Sequence, residues 1–201
     1  MNSFKIFIKQ KEFYWSNTKV ILLIYFVSII LLIVKREFYD SHKNIFDVFM
    51  IAVLFGNLFY GFVLKLLGLA TLEPLYGRFE GFLVFNFESI VINSKSYKMN
   101  EIKQIVVNNF DYKQKFLSRG RFEFIPNLSQ GNKNNFVLKL NTNEVIKCFF
   151  EQNYADDMNL IQPILIHYHL IGKFSGLHLF DILKISDYDE IQDFKNMYLK
   201  N

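Results

Sequence analysis

The sequence predicts an α+β protein: an N-terminal hairpin of two membrane-type helices, an antiparallel β region, and a closing helix. Three observations carry that prediction. Two charge-poor apolar stretches, Val20–Val34 and Val48–Leu64, stand close together near the N-terminus. From Gly77 onward apolar residues alternate or cluster in short runs between polar turns, as strands do. After Ala155 the apolar spacing lengthens to three and four residues, as on a one-faced helix.

The first run covers about 15 uncharged residues, or roughly 22 Å of helix. A 30 Å hydrocarbon core asks for about 20 residues. The flanks supply the rest. Lys19 and Lys35 can extend their ammonium groups outward along apolar stems. Tyr14 and Trp15 have the composition of an interfacial aromatic belt. The second run starts near Phe46 and continues past Lys65 through Leu66–Leu72. A cleaved leader would end in a small-residue site, but Val34 is followed by Lys35, Arg36 and Glu37. Neither stretch shows a polar stripe at helical period, so both read as lipid-facing rather than as core helices of a soluble protein.

Positive charge sets the expected orientation. Met1–Lys19 holds Lys5, Lys9, Lys11 and Lys19 against Glu12. The connection Lys35–Asp47 sets Lys35, Arg36 and Lys43 against Glu37, Asp40 and Asp47. Both termini are therefore expected on the cytoplasmic side. Few polar residues lie within the spans. Ser28 can bond back to its own helix. Gly56, Asn57 and Gly61 are the helix-packing candidates, because small residues admit close approach and an Asn can bond across an interface. No ionisable residue sits mid-span, so no ion or proton path is expected.

The strand readings follow in order: Phe82–Phe87, Ile90–Ile92, Lys98–Ile102 leading into Ile105–Phe110, Tyr112–Phe116 as an edge, and Phe122–Ile125 ended by Pro126. Phe136–Leu140 and Val145–Phe150 flank Asn141–Glu144, a good hairpin turn. Ala155–Ile171 reads as an amphipathic helix that Pro163 either kinks or starts near Gln162. Gly172 closes it. A second helix is expected at Tyr188–Tyr198 with Asp187 as cap.

Composition bounds the possibilities. A chain of 201 residues allows one domain with an appendage. With 51% apolar and 21% charged residues it is not a disordered chain. It carries 24 Phe, so an exposed Phe does not by itself mark a binding residue. A net charge of +4 suits the neighbourhood of anionic lipid without establishing contact. The one cysteine, Cys148, cannot form an intrachain disulfide, and its apolar neighbours Ile146 and Phe149 offer nothing to activate it.

The order Gly81–Asn93, Tyr97–Val107, Asn135–Gln152 and then the long helix, with Ile102 and Ile105 in an Ile-x-x-Ile pattern, resembles bacterial pleckstrin-homology-like (PH-like) domains. Small bacterial membrane proteins often carry such a domain behind two transmembrane helices. The resemblance covers roughly residues 80–171 and the hairpin. It implies a bent antiparallel β-sandwich or barrel capped by a C-terminal helix, and it implies no enzymatic activity. The expected organisation is a cytoplasmic N-terminal segment (1–18), a transmembrane hairpin (19–72), a PH-like domain (77–172) and an acidic helical extension (173–201), in a bacterial inner membrane.

The basic residues Lys113, Lys115, Arg119, Arg121 and Lys133 are the lipid or anion candidates. The resemblance implies that a basic loop at the open end of such a sheet meets lipid phosphates, Arg by a fork and Lys as a point charge. Nucleic acid would need a broader basic field with stacking aromatics. His167 and His169 point about 200° apart on a helix and cannot share a metal, while His42 and His178 stand alone. Phosphate cradles, nucleophile elbows and zinc-protease motifs are missing. The expectation is a non-catalytic, cofactor-free interaction or scaffold module at the bilayer, with a protein partner or self-association. The alternatives are a sensor of anionic lipid surface and an enzyme of unidentified type.

Overall fold

The computed structural model describes residues 2–10, 14–38 and 45–198. Lys11, Glu12, Asp40, His42 and Lys43, which entered the readings above, lie outside the described residues. The chain divides into two compact units. A sheet unit comprises Met1–Gln10, Leu75–Lys115 and Ser129–Asn201; a hairpin unit comprises Lys11–Pro74 and Phe116–Leu128.

The sheet unit begins with a strand that the sequence reading assigned to a membrane flank. Strand β1, Ser3–Lys9, pairs antiparallel with both β2, Gly77–Phe85, and β9, Val145–Phe150. The signal was present in SFKIFIK, where Phe4 and Ile6 are buried and Lys5 and Lys9 exposed. The remaining strands are β3, Ser89–Ile92; β4, Lys95–Lys98; β5, Ile102–Asn108; β6, Lys113–Phe116; β7, Leu128–Gln130; and β8, Asn134–Leu140. Among the described residues the main sheet runs β4-β3-β2-β1-β9-β8-β5, antiparallel throughout, and β6 pairs with β7 in a small ribbon. Its inward face is built by period-two burial; along β8 the buried positions are Asn134, Phe136, Leu138 and Leu140.

Helix α3, Gln162–Leu170, follows a 3₁₀ turn, Asp157–Ile161. Pro163 therefore sits in the first turn, where its missing N–H leaves no bond unmade. Gly172 follows with φ +75°, the left-handed close that glycine takes most easily. Met158, Ile161, Leu165 and Tyr168 join the sheet core, and the Tyr168 hydroxyl donates to the Asn86 carbonyl at 2.6 Å. Two more helices complete the unit. Helix α4, Gly176–Leu183, was not anticipated; Ser175 caps it by accepting from His178 N–H. Helix α5 spans Tyr188–Tyr198, and Asp187 Oδ1 accepts from Asp189 N–H at 2.9 Å.

The hairpin unit holds α1, Asn17–Phe38, and α2, Ile45–Gly68. Ser16 caps α1 by accepting from Lys19 N–H. At 22 and 24 residues the helices measure roughly 33 and 36 Å. The first span thus gains from its polar flanks the length its apolar run lacks. Among the described residues these two helices are long and apolar enough to cross a membrane. Lys35 in the last turn of α1 pairs with Asp47 in the first turn of α2 at 2.5 Å.

The sequence reading placed a strand at Phe122–Ile125. That stretch forms none, because the hairpin claims it. Phe124 N–H donates to Thr18 Oγ1 at 2.8 Å, Asn127 N–H to the Gly68 carbonyl, and Leu128 N–H to the Thr71 carbonyl.

Candidate functional site

The five basic candidates are divided between the units. Lys113 is exposed on β6. Lys115 donates its ammonium to the Phe110 carbonyl and lies over the Tyr112 ring at 5.8 Å. Lys133 is exposed, and its backbone N–H binds Asp111 Oδ2 at 3.0 Å. Arg119, in the hairpin unit, is committed to Glu73 at 2.6 Å, with both side chains largely buried. The Arg121 side chain is exposed; its carbonyl accepts from Lys65 at 2.6 Å.

The three helix-packing candidates behave differently from one another. Asn57 is buried on α2 and donates from Nδ2 to the Ile21 carbonyl of α1 at 3.0 Å. Gly61 is buried beneath the Phe124 ring, and a Cβ there would lie 2.9 Å from Phe124 Cε1. Gly56 is exposed, with nothing within 4 Å of where a Cβ would stand.

A polar hub lies inside the sheet unit. Asp111 Oδ2 accepts from Ser129 Oγ at 2.8 Å, and Asn134 exchanges bonds with both backbone groups of Asp111. Gly131, at φ +75°, lets the chain pass beneath the Gln152 carbonyl, 2.2 Å from where a Cβ would sit. Asp111 Oδ1 and the Gln152 side-chain amide are buried without hydrogen-bond partners.

The sequence also missed a groove of about 540 Å³ beside β5, lined among others by Asn109, Phe110, His178, Asp181, Lys184 and Ser186. It exists because the segment after Gly172 folds back along the exposed edge of β5. Ile105 N–H donates to the Lys173 carbonyl, Lys173 Nζ to the Ile102 carbonyl, and Val107 N–H to His178 Nε2 at 3.0 Å. An open strand edge is a template for other strands, and these bonds close it. His178 can accept only as a neutral imidazole protonated on Nδ1. Burial pushes its pKa down, with Asp181 opposing. The imidazole is therefore a structural acceptor and not a free base. Lys184 closes α4 in the left-handed conformation and reaches Asn109 Oδ1 at 3.3 Å. Burial, then Lys115, lowers its pKa, and Asp181 opposes.

Cys148 lies half-buried on β9, and burial pushes its thiol up to about 12. Among the described residues no group of three or more His, Cys, Asp or Glu side chains could hold a metal ion. The arrangement can bind: it offers a concave surface with an exposed Phe110 and flanking opposite charges. Its sequence signal was weak, because α4 is short and its contacts with β5 span about seventy residues of chain. Known protein families, curated proteins and solved structures contain no match to this chain.

Proposed function

We propose that this chain is a membrane-anchored interaction module. Helices α1 and α2 cross a bilayer and hold the sheet unit at one surface, where it binds a partner rather than converting a substrate. The pairing of β1 with β2 carries this reading. These strands lie before α1 and after α2, yet Ser3 stands opposite Val84 and Lys9 opposite Gly77. A sheet is not shared across a bilayer, so two spanning helices leave both flanks on the same side. The hairpin is thus an insertion within a β-hairpin, not a leader ahead of a domain.

Charge favours the cytoplasmic side for those flanks. Lys5, Lys9 and Lys19 precede or open α1, and Lys65 and Arg78 follow or close α2. At the opposite end stand Lys35, paired with Asp47, and Arg36, followed by Glu37. An antiparallel sheet followed by α3 supports the PH-like reading; a bacterial inner membrane is what that resemblance implies. For the partner, strand addition is disfavoured at both edges: β5 is covered, and β4 is short with Lys95 and Lys98 at its ends. We assign the partner to the groove beside α4, whose size and mixed polarity suit a short protein segment.

Topology is tested in a Cys148→Ser chain carrying Asn2→Cys, Ile45→Cys or Tyr154→Cys. Impermeant maleimide applied from the periplasmic side is expected to label position 45 alone, with 2 and 154 reacting only after lysis. Labelling of 2 and 154 from opposite sides would sink the reading. For the groove, a photo-crosslinker at position 110 should trap a discrete product that Lys184→Glu abolishes; a pattern identical to that from position 154 argues against the groove.

A further inference from the structure

Resting on the membrane reading above, we infer that Phe116–Leu128 is a third membrane-associated element, a wedge at the headgroup–acyl boundary with Phe116 and Phe122 in lipid. The argument lies wholly within the hairpin unit. Phe124 packs its ring on Gly61, seven residues before the end of α2. That places the ring roughly 10 Å along the helix from its end. Phe122 is two residues away, so its Cα lies within about 7 Å of that of Phe124. Phe122 is 68% exposed and Phe116 57%. Tyr14 and Trp15, just before α1, are likewise exposed. An aromatic cluster at the level of a helix end has the chemistry of a bilayer interface.

Non-helical backbone is tolerated at such depth only when its polar groups are met within the protein. Here part of the backbone is met in this way. Leu117 N–H binds the Asn127 carbonyl, Glu123 N–H the Gly120 carbonyl, and Phe124 N–H the Thr18 hydroxyl. Lys65 Nζ serves the carbonyls of Gly120 and Arg121. Asn127 N–H and Leu128 N–H bind α2 and the residues just beyond it. Arg119 pairs with Glu73 and also donates to the Pro126 carbonyl, so its charge is neutralised inside the loop. The exposed Arg121 stands beside Phe122, where a guanidinium meets lipid phosphates.

The test uses the full chain in phosphatidylcholine–phosphatidylglycerol vesicles. In a Trp15→Phe background, Phe122→Trp and Phe55→Trp each give one tryptophan, the second at mid-α2. Lipids brominated near the headgroup or deep in the chain report depth. We expect Phe122→Trp to be quenched more by the shallow bromines and to show a severalfold loss of iodide quenching against free tryptophan. Phe55→Trp should be quenched more by the deep bromines. Phe55→Trp quenched while Phe122→Trp answers only to iodide overturns the wedge and leaves the spans standing. An unquenched Phe55→Trp overturns the spans, and the wedge with them. Gly61→Leu, added to Phe122→Trp, displaces the Phe124 ring and should raise iodide quenching severalfold; unchanged quenching overturns the keying by Phe124.

Discussion

The two units bury opposite kinds of residue. In the sheet unit Leu83, Phe85, Phe136 and Phe150 have no exposed surface, and most charged residues face outward, although Asp111 of the polar hub is buried. In the hairpin unit Phe26, Phe55 and Phe59 are each at least 65% exposed, while Ser28, Asn57 and Gly61 lie inside. On the proposed membrane reading, one chain contains an oil-in-water core and a largely inverted one, in which Ile21 and Met50 are buried beside the polar and small residues. The difference follows from what drives association. Water expels apolar surface into a core. Lipid does not, so helices meet through small residues and hydrogen bonds.

Breaking the sheet core gives the largest expected effect. Phe150 packs edge-on against Phe4, joining β9 to β1. Phe150→Ala should destabilise the sheet unit by about 3–5 kcal/mol in denaturant titration. Phe55→Ala, an equal truncation on an outward hairpin face, should change stability in detergent far less. Equal losses at the two sites would refute the contrast.

The next effect tests whether charge can lie inside the hairpin unit. Arg119→Met leaves Glu73 largely buried without its guanidinium, which should lower stability by about 3 kcal/mol. Replacing both, Arg119→Met with Glu73→Leu, should recover most of the loss. Failure to recover would mean that the pair acts through some contact other than its charges.

Smaller again is the edge closure of the sheet unit. His178→Ala leaves the Val107 N–H without its acceptor and should cost about 2 kcal/mol, read by faster hydrogen exchange at Val107. The pH dependence has a definite sign. Burial holds the folded His178 below its ordinary 6.5, so the unfolded chain takes up the proton first. This contribution is full above about pH 6.5 and falls as the pH drops from there through the folded value. Asp181 and Lys184 face the same groove, and His178→Gln, which keeps an acceptor, should flatten that limb of the curve.

The smallest effect probes the inverted core. Asn57→Leu removes the bond to the Ile21 carbonyl and should weaken the α1–α2 contact by about 1 kcal/mol, measured by steric trapping or thermal shift in detergent. Gly56→Ala should be neutral, since nothing stands near its Cβ position.

The sequence by itself determined those elements whose signal is local. Val145–Phe150 and Tyr188–Tyr198 lie where their alternation, turn and cap residues put them, and Pro163 starts a helix as its fixed φ requires. The two apolar stretches declared their helices by composition alone. Only the tertiary structure decided what each element meets. Phe122–Ile125 has strand composition, but the bond from Phe124 to Thr18, and that from nearby Asn127 to Gly68, draw it onto the hairpin. Ser3–Lys9 alternates as a strand, yet its partners lie 68 or more residues away. Helix α4 makes an edge into a groove through one imidazole that accepts from Val107. Periodicity shows that a face will be buried. It does not name the surface that buries it, because that choice is made by contacts between residues far apart in the chain.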